Sequence, residues 1–174
     1  AGAGTSHNMN VNEVLANRAN EILGAKRGAK SPVHPNDHVN MAQSTNDVIP
    51  TAMRLATLAT LPAFLAALDR LADALLAKGR AFDGVIKSGR THLQDATPIR
   101  LGQEFTAYGH TVQRHREKLA QAADWLRELN IGGTAVGTGI NAEPEYPGLM
   151  VKYLQQVSGL ELREGRDRIQ LMQS

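Results

Sequence analysis

The chain has 174 residues, 42% of them hydrophobic and 21% charged, with 19 Lys and Arg against 17 Asp and Glu. A net charge of +2 and only 4% aromatic residues give neither a basic face nor a base-stacking surface, so nucleic acid is not an expected partner. The absence of Cys excludes disulfides, thiol chemistry and Cys-bound zinc.

The length suits one domain with a sizeable core. No apolar stretch reads as approaching the about 18 residues that would span a membrane, and no basic segment followed by an apolar one reads as a secretory signal. A soluble cytoplasmic protein with no membrane partner is the expectation. Both ends look cut, at the Gly-rich Ala1–Thr5 and at Ile169–Ser174, and a fragment is expected.

The apolar positions are those of helices. Val11, Val14, Leu15, Ala19, Ile22 and Leu23 recur near the helical period and predict a helix over Asn12–Leu23 that Gly24 ends. Residues 25–40, with Gly28, Pro32 and Pro35, form a loop or broken segment. Ser44-Thr45-Asn46-Asp47 supplies candidate helix caps, with Pro50 expected in a first turn.

Two long segments follow. Leu61, Leu65, Leu68, Ala72, Leu75, Gly79, Phe82 and Ile86 alternate spacings of four and three. Leu101, Phe105, Tyr108, Val112, His115, Leu119, Ala122, Leu126 and Leu129 do the same. This is the seam of long helices lying side by side. Pro62 is expected to kink or restart the first, His115 to pack on the seam, and His110 to face solvent. Residues 88–98 form a polar connection, and the Gly-rich stretch 132–139 a tight turn with positive φ angles. A shorter helix is expected over Tyr146–Ser158, before a charged stretch, Glu161–Arg168. The fold class is all-α, a long-helix bundle.

Three polar loops carry small hydroxyl, amide and imidazole side chains at helix ends: Gly4–Asn8, His34–Asn46 and Arg90–Asp95. Such residues cap helices, and the same donors converge well on a carboxylate, because helix N-termini add unpaired N–H groups and a favourable dipole. His34 and His38 stand four apart, but Pro35 follows the first and no His-Glu pair of the zinc-protease type occurs. No metal and no cofactor are expected. The Gly-rich turn lacks the Lys-Ser/Thr of a phosphate-binding loop, and no Gly-x-Ser-x-Gly elbow is present.

The polar stretches resemble a known family in order along the chain. Gly2–Val14, with Gly4-Thr5-Ser6-His7-Asn8, is similar to the first signature region of the fumarase/aspartase superfamily. His34–Asp47 resembles a second, Gly89–Ala96 with Leu101–Phe105 a third, and Gly132–Gly139 the family's Gly-rich turn. Ala3, Ser6 and Gln43-Ser44-Thr45-Asn46-Asp47 look like the aspartate ammonia-lyase version. Class II fumarate hydratase is the alternative within the family, and a non-catalytic helical assembly module the alternative outside it.

The resemblance implies a metal-independent elimination through an enolate-like intermediate, turning L-aspartate into fumarate and ammonia. It implies that Thr5, Ser44, Thr45, Asn46, Thr91 and His92 bind the dicarboxylate, with Thr91 and His92 acting in catalysis. It also implies a second, outer carboxylate site at His34, Asn36 and Asp37. The family's catalytic base is a Ser on a Gly-Ser-Ser loop that this sequence lacks, so the fragment alone is expected to be inactive. The family's site is assembled from three subunits of a homotetramer with a bundle of long helices at its centre. Residues 1–43 would then end an N-terminal domain, and 44–174 begin the central helical one.

Overall fold

The structure, a computed structural model, describes Gly2 and residues 4–173. The expectation placed on Ala3 lies outside the described residues, as do Ala1 and Ser174. The elements run α1 (Thr5–Ile22), a π-helical turn (Pro35–Val39), α2 (Thr45–Ala81), β1 (Ile86–Thr91), β2 (Gln94–Arg100), α3 (Leu101–Ala122), β3 (Glu128–Leu129), α4 (Tyr146–Ser158) and β4 (Arg163–Glu164). Short 3-10 turns lie at Trp125–Arg127 and Gln170–Met172. Long helices dominate, as the apolar periodicity implies. The chain divides into two compact units, Ala1–Leu58 with Trp125–Ser174, and Ala59–Asp124.

In the first unit α1 starts earlier than expected and turns the other way. Its buried residues are Asn8, Asn12, Ala16 and Asn20, four apart along one stripe, while Val14 is 61% exposed and Ile22 70%. Periodicity finds a helix but not which stripe is covered. Burying amides costs free energy unless they are hydrogen-bonded. Asn20 meets that condition by donating to the carbonyls of Ala29 and Val33 (2.7 and 2.9 Å) and accepting from the Val33 amide (2.7 Å), which fixes the loop after the helix. Asn8 and Asn12 both donate to Asn40 Oδ1, at 3.3 and 2.9 Å.

The core of this unit gathers Leu129, Ile131, Val151, Leu162 and Leu171. Beside it β3 pairs in parallel with β4, Glu128 opposite Arg163 and Leu129 opposite Glu164. Arg54 of α2 donates to the carbonyls of Glu128 (2.6 Å) and Leu171 (3.2 Å), tying three segments together. Burial lowers the pKa of this guanidinium, and the Glu128 carboxylate opposes that.

Helix α2 is unbroken over 37 residues, through both Pro50 and Pro62. Pro50 therefore lies past the first turn. Its missing N–H frees the carbonyl of Asn46, four residues back, and Asn130 Nδ2 donates to that carbonyl at 3.3 Å. The expectation of no apolar stretch near membrane length is corrected here. The most apolar 18-residue window of α2 has mean hydropathy 1.5 and is only 11% buried. Leu and Ala recur around the whole helix, and between Asp47 and Asp69 only Arg54 is charged. Length and composition of this kind are shared by membrane spans and by helices that pack among other helices.

In the second unit the later turns of α2 run antiparallel to α3. The helices touch where side chains vanish: a Cβ on Gly79 would strike Thr106 Oγ1, and one on Gly102 would strike the Gly79 carbonyl. Ala72 is buried, and Arg116 pairs with Asp69 at 3.1 Å. Phe82 and Phe105 meet edge to face with centroids 5.3 Å apart. Of the expected seam, Ala72, Gly79, Phe82 and Phe105 pack in this way, whereas Tyr108 and Leu119 are exposed, Ile86 lies on β1, and Leu126 and Leu129 fall beyond α3 because that helix ends at Ala122. His115 is exposed rather than packed, because the two helices cover only the part of α3 that faces α2; His110 is exposed too.

The expected polar connection is a β-hairpin. Strands β1 and β2 pair antiparallel from Ile86 opposite Arg100 to Thr91 opposite Gln94, with an irregularity between Ser88 and Arg90. Its two-residue turn holds His92 and Leu93 at φ 49° and 62°, the left-handed pattern of a type I′ turn that Asn-Gly normally supplies. The strands are largely exposed, so no apolar alternation announces them.

Candidate active site

Ser44 precedes α2 and caps it. Its hydroxyl oxygen accepts the Asn46 amide at 3.2 Å, its carbonyl accepts the amides of Asp47 and Val48, and Asp47 Oδ1 accepts the Ser44 amide at 2.9 Å. This is a variant of the capping box, with Ser44 taking the amide two residues on instead of three and Asp in the position usual for Glu or Gln. Capping and ligand binding are compatible here. A hydroxyl that accepts keeps its own hydrogen to donate.

The same holds for Thr45, whose Oγ1 accepts from Asn8 Nδ2 at 3.4 Å. Asn46 is exposed and spends one amide hydrogen on the Ala135 carbonyl at 2.8 Å, which leaves the other. Gly4, at φ 86° with Ile49 Cγ1 only 2.6 Å from where a Cβ would stand, lets the start of α1 close onto α2. Thr5 therefore lies in the first turn of α1 beside the first turns of α2. Helix dipole, capping hydroxyls and an amide thus gather at one helix start, an arrangement suited to an anion.

A cleft of about 680 Å³ opens there, lined by Thr45, Asn46, Ile49, Pro50, Ala135 and Val136 among others. A larger one of about 770 Å³, bordered by Met53, Trp125, Leu126 and Leu171, is mainly apolar and touches none of the polar loops.

Across the smaller cleft the Gly-rich turn is bound to α2 by Asp47. This carboxylate is fully buried, and its Oδ2 accepts the amides of Gly132 (3.1 Å) and Thr134 (2.9 Å). The turn has positive φ at Gly132, Gly137 and Gly139, as expected, and also at Thr134. It cradles an anion after all, one supplied by the chain itself. Burial pushes the Asp47 carboxyl up from its ordinary pKa, and the backbone amides partly offset that. Tyr146, whose hydroxyl is buried with no hydrogen-bond partner among the described residues, is pushed up to about 12, by burial first and by the Asp47 charge second.

His34 caps the π-helical turn: its Nδ1 accepts the amides of Asn36 and Asp37, both at 3.2 Å. His38 Nδ1 accepts the His34 amide at 2.9 Å. An Nδ1 that accepts carries no proton, so the 3.3 Å approach of Asp37 Oδ2 to His34 Nδ1 is not an ion pair while those bonds hold. Asn36 and Asp37 are exposed beside it. Thr91 and His92 stand exposed at the hairpin end, in the second unit. Among the described residues no three His, Asp or Glu side chains gather as a metal would require.

Asn130 lies outside every stretch that the sequence marks, whereas Asn8, Asn40 and Asp47 lie in the marked loops and caps without any sign of the distant partners they hold here. Only Asp47 had a local signal, the Ser-x-x-Asp spacing of a capping box. The Asn partners are distant in sequence.

A family model described as "Lyase" matches residues 1–173. The chain is 53% identical over 161 residues to aspartate ammonia-lyase of Bacillus subtilis, covering 92% of this chain and 34% of that protein. It is 54% identical over 164 residues to class II fumarate hydratase of Halobacterium salinarum, covering 94% and 35%. Among solved structures, fumarate lyase:delta crystallin from Brucella melitensis bound to cobalt superposes with TM-score 0.88 at 53% identity, over 98% of this chain and 37% of that one. Class II fumarase from Schistosoma mansoni gives TM-score 0.84 at 37% identity, over 98% and 39%. The chain spans about a third of the length of the curated relatives it matches. With its polar loops, its long helices and a match along nearly every residue, the chain belongs to the fumarase/aspartase superfamily of lyases.

Proposed function

We propose that this chain contributes the carboxylate-binding part of a lyase that converts L-aspartate to fumarate and ammonia. The observation that carries the reading is the start of α2, where Ser44, Thr45 and Asn46 each keep a donor hydrogen beside a capped helix N-terminus and an open cleft. Thr5 joins them from α1; Thr91 and His92, on the hairpin of the second unit, are the donors that an assembly of several subunits would bring to the same substrate.

In this mechanism a base takes the proton from the carbon next to one carboxylate. The electron pair spreads into that carboxylate as a dianionic, enolate-like intermediate. It then forms the C=C bond as the C–N bond breaks, and the nitrogen leaves as ammonia. Preorganised donors matter because negative charge grows on the carboxylate before the amine departs. Thr91 and His92 serve that growing charge; His34, Asn36 and Asp37 form an outer carboxylate site. The base belongs to a Gly-Ser-Ser loop, a motif this sequence does not contain, so these 174 residues alone are inactive.

Residues 1–43 end an N-terminal domain and 44–174 begin the central one. The exposed apolar flanks of α2 and α3, with Phe64, Leu71 and Tyr108, pack in a homotetramer of a soluble cytoplasmic enzyme. Hydration of fumarate is the second reading, favoured by the identity to the Halobacterium fumarate hydratase. Assaying a family-length polypeptide carrying these residues with aspartate and with malate decides between them. Turnover of neither by a well-folded tetramer overturns both in favour of an assembly module.

A further inference from the structure

We propose that Asp47 is a positioning residue of this site, holding the Gly-rich turn so that the turn in turn aims the Asn46 side chain. This rests on the dicarboxylate reading above. Four contacts, all within the first unit, join residues 46 and 47 to residues 130–135. Asp47 Oδ2 takes the amides of Gly132 and Thr134, Asn46 Nδ2 holds the Ala135 carbonyl, and Asn130 Nδ2 holds the Asn46 carbonyl. The other Asp47 oxygen accepts the Ser44 amide. One buried carboxylate thus fixes the cap that carries the Ser44 hydroxyl and the turn that orients the Asn46 amide.

An anion next to a site for anions would repel its ligand, so Asp47 serves through geometry, with its charge met by backbone N–H groups. An amide in its place would set an NH₂ against one of these backbone donors. Asp47→Asn therefore releases either the cap or the turn, while nearly preserving side-chain volume.

Hydrogen exchange of the family-length wild-type protein, with and without succinate, tests this directly. Succinate should slow exchange at least fivefold in peptides covering residues 44–48 and also in those covering 130–135, although the turn supplies none of the proposed ligands. Slowing at 44–48 alone overturns the positioning role, whereas no slowing at either place overturns the dicarboxylate reading itself. In Asp47→Asn, kcat should fall at least tenfold at saturating substrate in enzyme that remains folded at the assay temperature. A lowered melting temperature with unchanged kcat would make Asp47 a purely structural residue.

Discussion

Asn130 donates to the carbonyl of Asn46, the acceptor that Pro50 leaves without its helical partner. The two residues are 84 apart in sequence, and Asn130 is fully buried. A helix interior rejects proline because one carbonyl loses its N–H and the ring crowds the preceding turn. Here a side chain from the Gly-rich end of the unit replaces the lost donor.

Asn130→Ala should therefore cost about 1–2 kcal/mol, since it takes the hydrogen bond from a partly buried acceptor. In a Pro50→Ala background the helix regains its own N–H at that position, and the same change should cost about 1 kcal/mol less. Urea denaturation of the two single variants and the double variant measures the difference. Strictly additive losses would show that the proline and the asparagine are not coupled.

Asp47 should leave a signature in the pH dependence of stability. Burial raises its pKa in the folded state, so the folded protein holds the proton more tightly than the unfolded chain. That contribution is fully present below the unfolded carboxylate pKa, about 3.9, and is lost as pH rises through the folded value. Tyr146, the titratable group whose pKa its charge perturbs, stays neutral throughout. Wild type should thus gain on Asp47→Asn as the solution is acidified from neutrality. Melting curves across that range check the sign, and a gap that narrows on acidification would mean that the amides outweigh burial.

Two glycines in helices should respond oppositely to alanine. At Gly102 a Cβ would meet the Gly79 carbonyl and stand 2.7 Å from Asp83 Cα, so Gly102→Ala should cost about 2 kcal/mol or more through forced separation of α2 and α3. At Gly148, in the first turn of α4, the nearest neighbour is a Glu164 carboxylate oxygen at 3.7 Å, an ordinary contact, so Gly148→Ala should stabilise by up to about 1 kcal/mol. Thermal unfolding of both variants is enough, and similar shifts in one direction would contradict the crossing geometry.

The hairpin turn separates strain from chemistry. Leu93 is 91% exposed at φ 62°, so Leu93→Gly should stabilise the protein by about 1 kcal/mol. His92→Ala in a family-length enzyme should lower kcat about a hundredfold, equivalent to about 3 kcal/mol, and His92→Gln less, since Gln can still donate one hydrogen bond. Steady-state kinetics alongside melting temperatures distinguish the two residues. An unchanged kcat for both His92 variants would leave His92 a turn residue only.

Much of the helical frame was present in the order of residues. The spacing of Leu65, Leu68, Ala72 and Leu75, and of Leu101, Phe105 and Val112, requires long helices, and α4 occupies Tyr146–Ser158 as its pattern demands. Small polar residues before α2 mark its cap, because Ser, Asn and Asp satisfy backbone donors at short range. Local effects of this kind are written in neighbouring residues.

Tertiary structure alone decided which face of each helix is covered. The stripe of Val14 and Ile22 on α1 is as regular as any core stripe, yet Asn12 and Asn20 lie inside, because carbonyls and amides distant in sequence complete their hydrogen bonds. The hairpin also stayed hidden, since exposed strands need no apolar alternation and are held by pairing across the turn. Asp47 shows the same limit most sharply. Its neighbours identify a helix cap, but its second oxygen belongs to amides 85 and 87 residues away, and only the closing of the fold brings them together.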